Sequence, residues 1–370
     1  MQRYAARAIE HVWSRGLLAF AVGAMMAISG SPASALQADT WPTKGWPSSS
    51  PEKQGVDGAR LQAALASAQE QGLALHSVLV IRHGSIVLEK YFAPYGVTSP
   101  HELYSCTKSF VSALVGIAIN KGLISDVQRP VVGFFPGEDF SGTDSAHTSA
   151  QQILYKQSIT VENLLTMSSG LEWSENDETY RKMYMSYADW VKFVLDAPMV
   201  AEPGRTFNYS SGGSHLLSAI VQKSAAMNTY DFARGNLFGP LGIKNPIWER
   251  DPSGIPIGGW GLHLVPRDMA KLGYLYLHGG EWEGKQVVPS LWVRESTRSH
   301  IHTDGNLQYG YQWWIDPSGS FFAGLGRFGQ CIFVVPGLDL VAVFTAHIET
   351  NDPEIDLLRK YIIPACSPGQ

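Results

Sequence analysis

The chain has 370 residues, 45% hydrophobic and 16% charged, which is enough apolar content for one large core or two smaller ones. Its 37 glycines and 21 prolines are ordinary fractions, which excludes a fibrous or low-complexity chain. The formal net charge is -5 and no run of Lys and Arg forms a stripe, so the electrostatic footprint of a nucleic-acid-binding protein is missing.

Residues 1–35 read as an export signal. Arg3, Arg7 and Arg15 form a positive head, an apolar run covers 17–30, and Ala33-Ser34-Ala35 fits a signal-peptidase site. The apolar run is shorter than the roughly 20 residues a membrane span needs. The long head carrying Glu10 leaves an uncleaved anchor as the alternative, and no Cys stands at the cleavage site to take a lipid. The expectation is a periplasmic or secreted protein with no stable membrane insertion after processing.

Residues 36–58, rich in Pro, Ser and Trp, read as a linker. Asp57 then caps a helix whose apolar face runs through Leu61, Leu65 and Ala68. Two strand-like runs, 78–82 and 86–92, flank His83-Gly84 and predict a hairpin. From Ser105 the period changes. Residues 110–119 are apolar apart from Ser112 and Gly116, so this helix is expected to pass through the core and stop at Gly122. Between about 125 and 285 helical patterns dominate, at 161–167, 187–195, 216–223 and 267–277. Strands return at 310–315, 321–323, 332–335 and 340–344, followed by a helix over 353–362.

Strands at both ends of a helical middle predict an α+β fold with one sheet assembled from the two chain ends. The expected division is an α/β lobe of 59–124 and 286–370 and a mainly helical lobe of 125–285. Loops joining two such lobes favour a cleft. Cys106, Cys331 and Cys366 have no Cys-x-x-Cys spacing and read as three buried small residues. His300-Ile301-His302 reads as two solvated loop histidines rather than metal ligands.

Neither a Gly-x-Ser-x-Gly elbow nor His-Glu-x-x-His occurs. Ser105-Cys106-Thr107-Lys108 is a Ser-x-x-Lys element, and Ser50-Pro51-Glu52-Lys53 matches the same pattern. Ser50 precedes a proline in the linker, where no helix is expected to bring the two side chains together. Ser105 opens the buried helix, which puts Lys108 one turn later on the same side. A serine hydroxyl needs a neighbouring base, and a partly desolvated lysine near a helix N-terminus can serve as one. Tyr209, in the bend Gly204-Arg205-Thr206-Phe207-Asn208-Tyr209-Ser210-Ser211-Gly212, supplies a phenol whose ionisation a nearby ammonium would ease. The glycine-rich stretch Gly324-Leu325-Gly326-Arg327-Phe328-Gly329-Gln330 reads as a loop before a strand at Ile332. One of its backbone N–H groups could hold an oxyanion together with that of Ser105.

In this order the three segments resemble the serine β-lactamase and penicillin-binding-protein superfamily, over roughly 50–365. The likeness is greatest to its class C-like branch, with family VIII esterases and 6-aminohexanoate-dimer hydrolases. Leu164-Leu165-Thr166-Met167-Ser168-Ser169-Gly170-Leu171, Arg267-Asp268-Met269-Ala270-Lys271-Leu272-Gly273 and Tyr309-Gly310-Tyr311-Gln312-Trp313-Trp314 also look familial. The resemblance implies a β-lactamase-like fold, Ser105 as acylated nucleophile, Lys108 as its partner and Tyr209 as general base and then acid. It implies neither a metal nor an organic cofactor. Ser211 stands where the Tyr-x-Asn motif has asparagine, as in the nylon-oligomer enzymes. Gly324-Leu325-Gly326 lacks the lysine of the Lys-Thr-Gly box, and the candidate substrate-binding residues are Ser211, Gly326 and Arg327. The resulting expectation is a hydrolase of small-molecule esters or linear amides. The alternatives are a β-lactamase, a D-Ala-D-Ala peptidase, or a silent binding protein on the same fold. Trp173, Trp190, Trp260, Trp313 and Trp314 are candidates for a pocket wall or for core.

Overall fold

The computed structural model describes residues 41–138, 149–175, 178–186 and 188–367. The expected export signal at 1–35 and Tyr187 lie outside them. The fold is α+β, of the β-lactamase-like kind that the resemblance implies.

Strands β1 (Leu75–Arg82) and β2 (Ser85–Tyr91) form the expected hairpin around His83 and Gly84, both at positive φ. The remaining strands are β3 (Gln308–Tyr309), β4 (Trp314–Ile315), β5 (Phe322–Gly326), β6 (Gln330–Val335) and β7 (Leu340–Ala346). They make one antiparallel sheet in the order β2-β1-β7-β6-β5-β4-β3. Pairing of β1 with β7, from Ser77↔Thr345 to Arg82↔Leu340, joins the two ends of the chain.

Side chains alternate across this sheet. Leu79 and Ile81 enter one core with Ile332, Val334 and Val343, while Val78 and Val80 enter another with Phe333 and Phe344. Both faces are covered, so the strands read as continuous apolar runs without polar alternation. Four helices position the sheet and the site: α1 (Gly58–Glu70), α2 (Thr107–Asn120), α3 (Ser211–Ala225) and α4 (Pro266–Leu277). Asp57 caps α1 by accepting from the N–H groups of Ala59 and Arg60. α1 shares one core with the helical segment 352–365, and α2 and α4 share the other. α2 is buried from Thr107 to Ala118, as a helix apolar on all sides must be. A side chain at its Gly116 would meet the Trp292 ring at 2.4 Å.

Three local expectations change. Residues 41–58 are tied to the body. Trp46 is buried and donates to the Arg267 carbonyl, Ser48 bridges to Ile86, and Pro51–Gln54 forms a 3-10 turn in spite of its proline. Residues 310–315 are not one strand, because a bend with Gln312 at φ 62° separates β3 from β4. The glycine-rich stretch at 324–330 is mostly strand, with only Arg327–Gly329 turning between β5 and β6. Gly324 and Gly326 relieve close approaches of β5 to Ser109 and to the Leu103 carbonyl and do not mark a loop.

Candidate active site

Ser105 sits in a 3-10 turn, Tyr104–Cys106, that runs directly into α2. Tyr104 holds φ 44°, a left-handed conformation that costs a non-glycine residue about 1–3 kcal/mol and is characteristic of functional turns. β5 passes over this turn so closely that a Cβ on Gly326 would lie 2.3 Å from the Leu103 carbonyl oxygen and 3.3 Å from the Cys106 nitrogen. Only glycine fits there, and this approach brings the end of the third segment to Ser105. Cys106 points the other way, fully buried, its thiol directed at the Gly324 and Gln330 carbonyls. All three cysteines are free and buried, as expected.

Lys108, on the first turn of α2, is 1% exposed. Its Nζ donates to Ser105 Oγ at 2.9 Å, Ser211 Oγ at 3.0 Å and the Gly259 carbonyl at 2.8 Å. Burial pushes this ammonium down to about 8, against the opposing pull of the Glu175 carboxylate. Glu175 accepts from the Ser211 hydroxyl (2.9 Å), the Ser211 N–H (2.5 Å) and Trp173 Nε1 (2.6 Å). The order is therefore Ser105, Lys108, Ser211, Glu175. Ser211, expected to bind substrate, is 2% exposed, and its hydroxyl is engaged by Lys108 and Glu175. Glu175 and the Gly259 carbonyl were not legible in the sequence. The one signal was the pair Gly258-Gly259, which packs so close to α3 that a Cβ added to Gly259 would lie 2.8 Å from Ser211 Cβ.

Tyr209 lies two residues before the start of α3 and stacks on Trp314 with centroids 5.7 Å apart. Lys108 Nζ lies 4.8 Å from its ring centroid. The expectation of an easily ionised phenol is overturned. Burial drives its ionisation well above the ordinary tyrosine value, and the hydrogen bond with Ser105 only partly opposes this. Tyr209 is therefore a neutral phenol near neutral pH, whereas burial makes Lys108 lose its proton more readily than an ordinary lysine.

Two clefts meet at Ser105, and Tyr209 and Arg327 line both. One, of about 480 Å3, also has Trp314, Leu325, Gly326 and Asn351 on its wall. The other, of about 720 Å3, has Glu102, Glu175, Tyr180, Ser211, Glu249 and Trp260. Arg327 is exposed and lies over the Phe328 ring at 4.7 Å.

The sequence model of the beta-lactamase family matches residues 32–366. The chain belongs to the beta-lactamase family. Within it, the chain is similar to the 6-aminohexanoate-dimer hydrolase of Paenarthrobacter ureafaciens, 26% identical over 72% of this chain and 70% of that protein. Among solved structures it resembles EstCE1, a hydrolase with promiscuous acyltransferase activity (TM-score 0.67, 15% identity, 83% of this chain and 98% of that one). It also resembles a family VIII carboxylesterase (TM-score 0.63, 17% identity, 83% and 97%). These structural likenesses carry the fold. The family match and the hydrolase relative support a hydrolytic enzyme.

The remaining sequence candidates divide. Trp260 and Trp314 line the clefts, whereas Trp173, Trp190 and Trp313 are core. His300 is not solvated, because its ring stacks on Tyr311 at 4.0 Å and Nε2 lies 2.8 Å from the Glu295 carbonyl.

Proposed function

We propose that the chain is a serine hydrolase that cleaves a carboxylic ester or linear amide through an acyl-enzyme at Ser105. The observation that carries this reading is the 2.9 Å contact between Ser105 Oγ and a buried lysine without an ion pair among the described residues. A lysine near 8 is unprotonated in a useful fraction at neutral pH and can still return a proton.

In the proposed cycle Ser105 Oγ attacks the carbonyl carbon as Lys108 Nζ takes its proton. The N–H groups of Ser105 and of the β5 end at Gly326-Arg327 face the developing oxyanion. The neutral Tyr209 phenol gives its proton to the leaving group and regains one from Lys108, so the serine proton departs with the alcohol or amine. Water then attacks the acyl carbon, losing its proton through the same pair as Ser105 Oγ is released.

The third segment bears on the substrate. A charge-assisted hydrogen bond to a substrate carboxylate is worth about 1.5–3 kcal/mol. The Gly324-Leu325-Gly326 segment has no cation to make one, and the nearby Arg327 is exposed and packed on Phe328. The expected kcat/KM for a short p-nitrophenyl ester therefore exceeds that for nitrocefin by at least about two decades, part of it from the more reactive ester. Nitrocefin turned over as fast as the ester would favour a β-lactamase instead.

A further inference from the structure

His215 and Asp251 form a fully buried pair that the proposed cycle does not use. His215 lies on α3 one turn after Ser211, and Asp251 opens the loop that leads to Gly258-Gly259. His215 Nε2 is 3.0 Å from Asp251 Oδ2. The other ring nitrogen, Nδ1, accepts from the Gly258 N–H at 3.4 Å. A backbone N–H can only donate, so Nδ1 carries no proton, and the ring proton sits on Nε2 and points at Asp251. Asp251 Oδ1 accepts from the Ile255 N–H at 2.8 Å, which fixes the carboxylate in turn.

The loop is fastened at further points. Ser218 Oγ of α3 donates to the Pro256 carbonyl at 2.7 Å, and Trp248 Nε1 to the Ile257 carbonyl at 2.8 Å. A Cβ on Gly258 would lie 2.1 Å from the Ser214 carbonyl oxygen, so the loop backbone rests directly on the helix. Its end, the Gly259 carbonyl, is one of the three partners of Lys108 Nζ. A protonated lysine donates to all three, but a neutral amine has only two N–H bonds and one lone pair. The Gly259 carbonyl has no proton to give, and the Ser211 hydroxyl gives its own to Glu175 Oε2, so each accepts an N–H. The lone pair is left for Ser105 Oγ, the direction in which it takes a proton.

We infer that His215, fixed by Asp251, is a positioning residue for the base: it holds the Gly258-Gly259 backbone so that the Gly259 carbonyl aims the Lys108 lone pair at Ser105. The inference rests on the reading of Ser105 as nucleophile for its effect on turnover, whereas the hold on Lys108 stands without it. With the carbonyl displaced, an N–H of the neutral amine can swing to Ser105 Oγ, and the lone pair then faces no proton it can take.

The test is Asp251→Asn in the full chain. The Ile255 N–H claims the amide oxygen, so the amide nitrogen faces His215 Nε2 and moves the ring proton to Nδ1, against the Gly258 N–H. For a p-nitrophenyl ester, kcat per fluorophosphonate-titrated site should fall about ten- to a hundredfold with KM little changed. The rising limb of the pH profile, native at about 8, should move lower, because an ammonium that loses a carbonyl acceptor is disfavoured. His215→Phe should behave alike, and His215→Asn, whose amide oxygen can replace Nδ1 as acceptor, should recover part of the loss. A loss confined to the number of titratable sites, or an unmoved limb, would overturn the inference. Should the variants fail to fold, the ring ¹⁵N signals of His215 in the native chain decide: a protonated Nε2 with a bare Nδ1 is expected, and any other state contradicts it. Should Ser105 never acylate, the hydrolase reading fails by itself, and the Lys108 side-chain NMR titration decides instead. A downward shift in Asp251→Asn upholds the hold on Lys108, and no shift overturns it.

Discussion

Two regions of this chain carry the same Ser-x-x-Lys spacing, and each lysine lies on a helical turn. Ser50 stands, with extended backbone, immediately before the 3-10 turn Pro51–Gln54 that carries Lys53. Ser105 and Lys108 instead both lie within the continuous helical turns that open α2, three residues apart on one side. The regions differ in what surrounds them. Ser50 and Lys53 are exposed, whereas Lys108 is enclosed by α2, α3 and the Gly259 loop. Spacing alone does not make a base, and desolvation is what lowers the affinity of the Lys108 amine for its proton.

The comparison is broken most sharply by removing each lysine. Lys108→Met should lower kcat/KM for a p-nitrophenyl ester by about 10²–10⁴-fold, the range of a lost general base, while Lys53→Met should change nothing. Equal effects of the two would show that burial is not the deciding difference.

Next in size is Tyr209→Phe, which keeps the ring on Trp314 but removes the proton donor, and should cost about 10²-fold in ester turnover. Because the leaving-group proton is at stake, the loss should be smaller for a p-nitrophenyl ester than for a linear amide, whose amine leaves poorly. Equal losses would remove Tyr209 from the acid role.

The smallest effect sharpens the account of Lys108. Its unprotonated form is the base, so kcat/KM should rise with pH through about 8 and then level. The Glu175 carboxylate favours the ammonium, so Glu175→Gln should move this rising limb to lower pH. A limb that stays in place or moves upward would contradict the Ser211-mediated coupling.

Much of this was legible in the sequence, for physical reasons that can be named. The helix at 107–120 was visible because a helix apolar on every side has one place to go. The hairpin at 75–91 was visible through its turn chemistry, and the shared sheet through strands at both chain ends. Gly324 and Gly326 misled, because a glycine needed for close approach looks the same in sequence as one that ends a strand. Glu175 was invisible for another reason. It meets Ser211 across 36 residues, and no local pattern marks a carboxylate whose partner the tertiary fold supplies. The high ionisation of Tyr209 was hidden likewise, since the cation beside it was readable but the packing around it was not.

The central claim is that Ser105, and not Ser50, becomes covalently acylated. A fluorophosphonate probe followed by peptide mass spectrometry tests it most directly. The account predicts one adduct per chain, on the peptide holding Ser105, unaffected by Ser50→Ala and abolished by Ser105→Ala. Labelling that persists in Ser105→Ala, or an adduct mapped to any other residue, would contradict it.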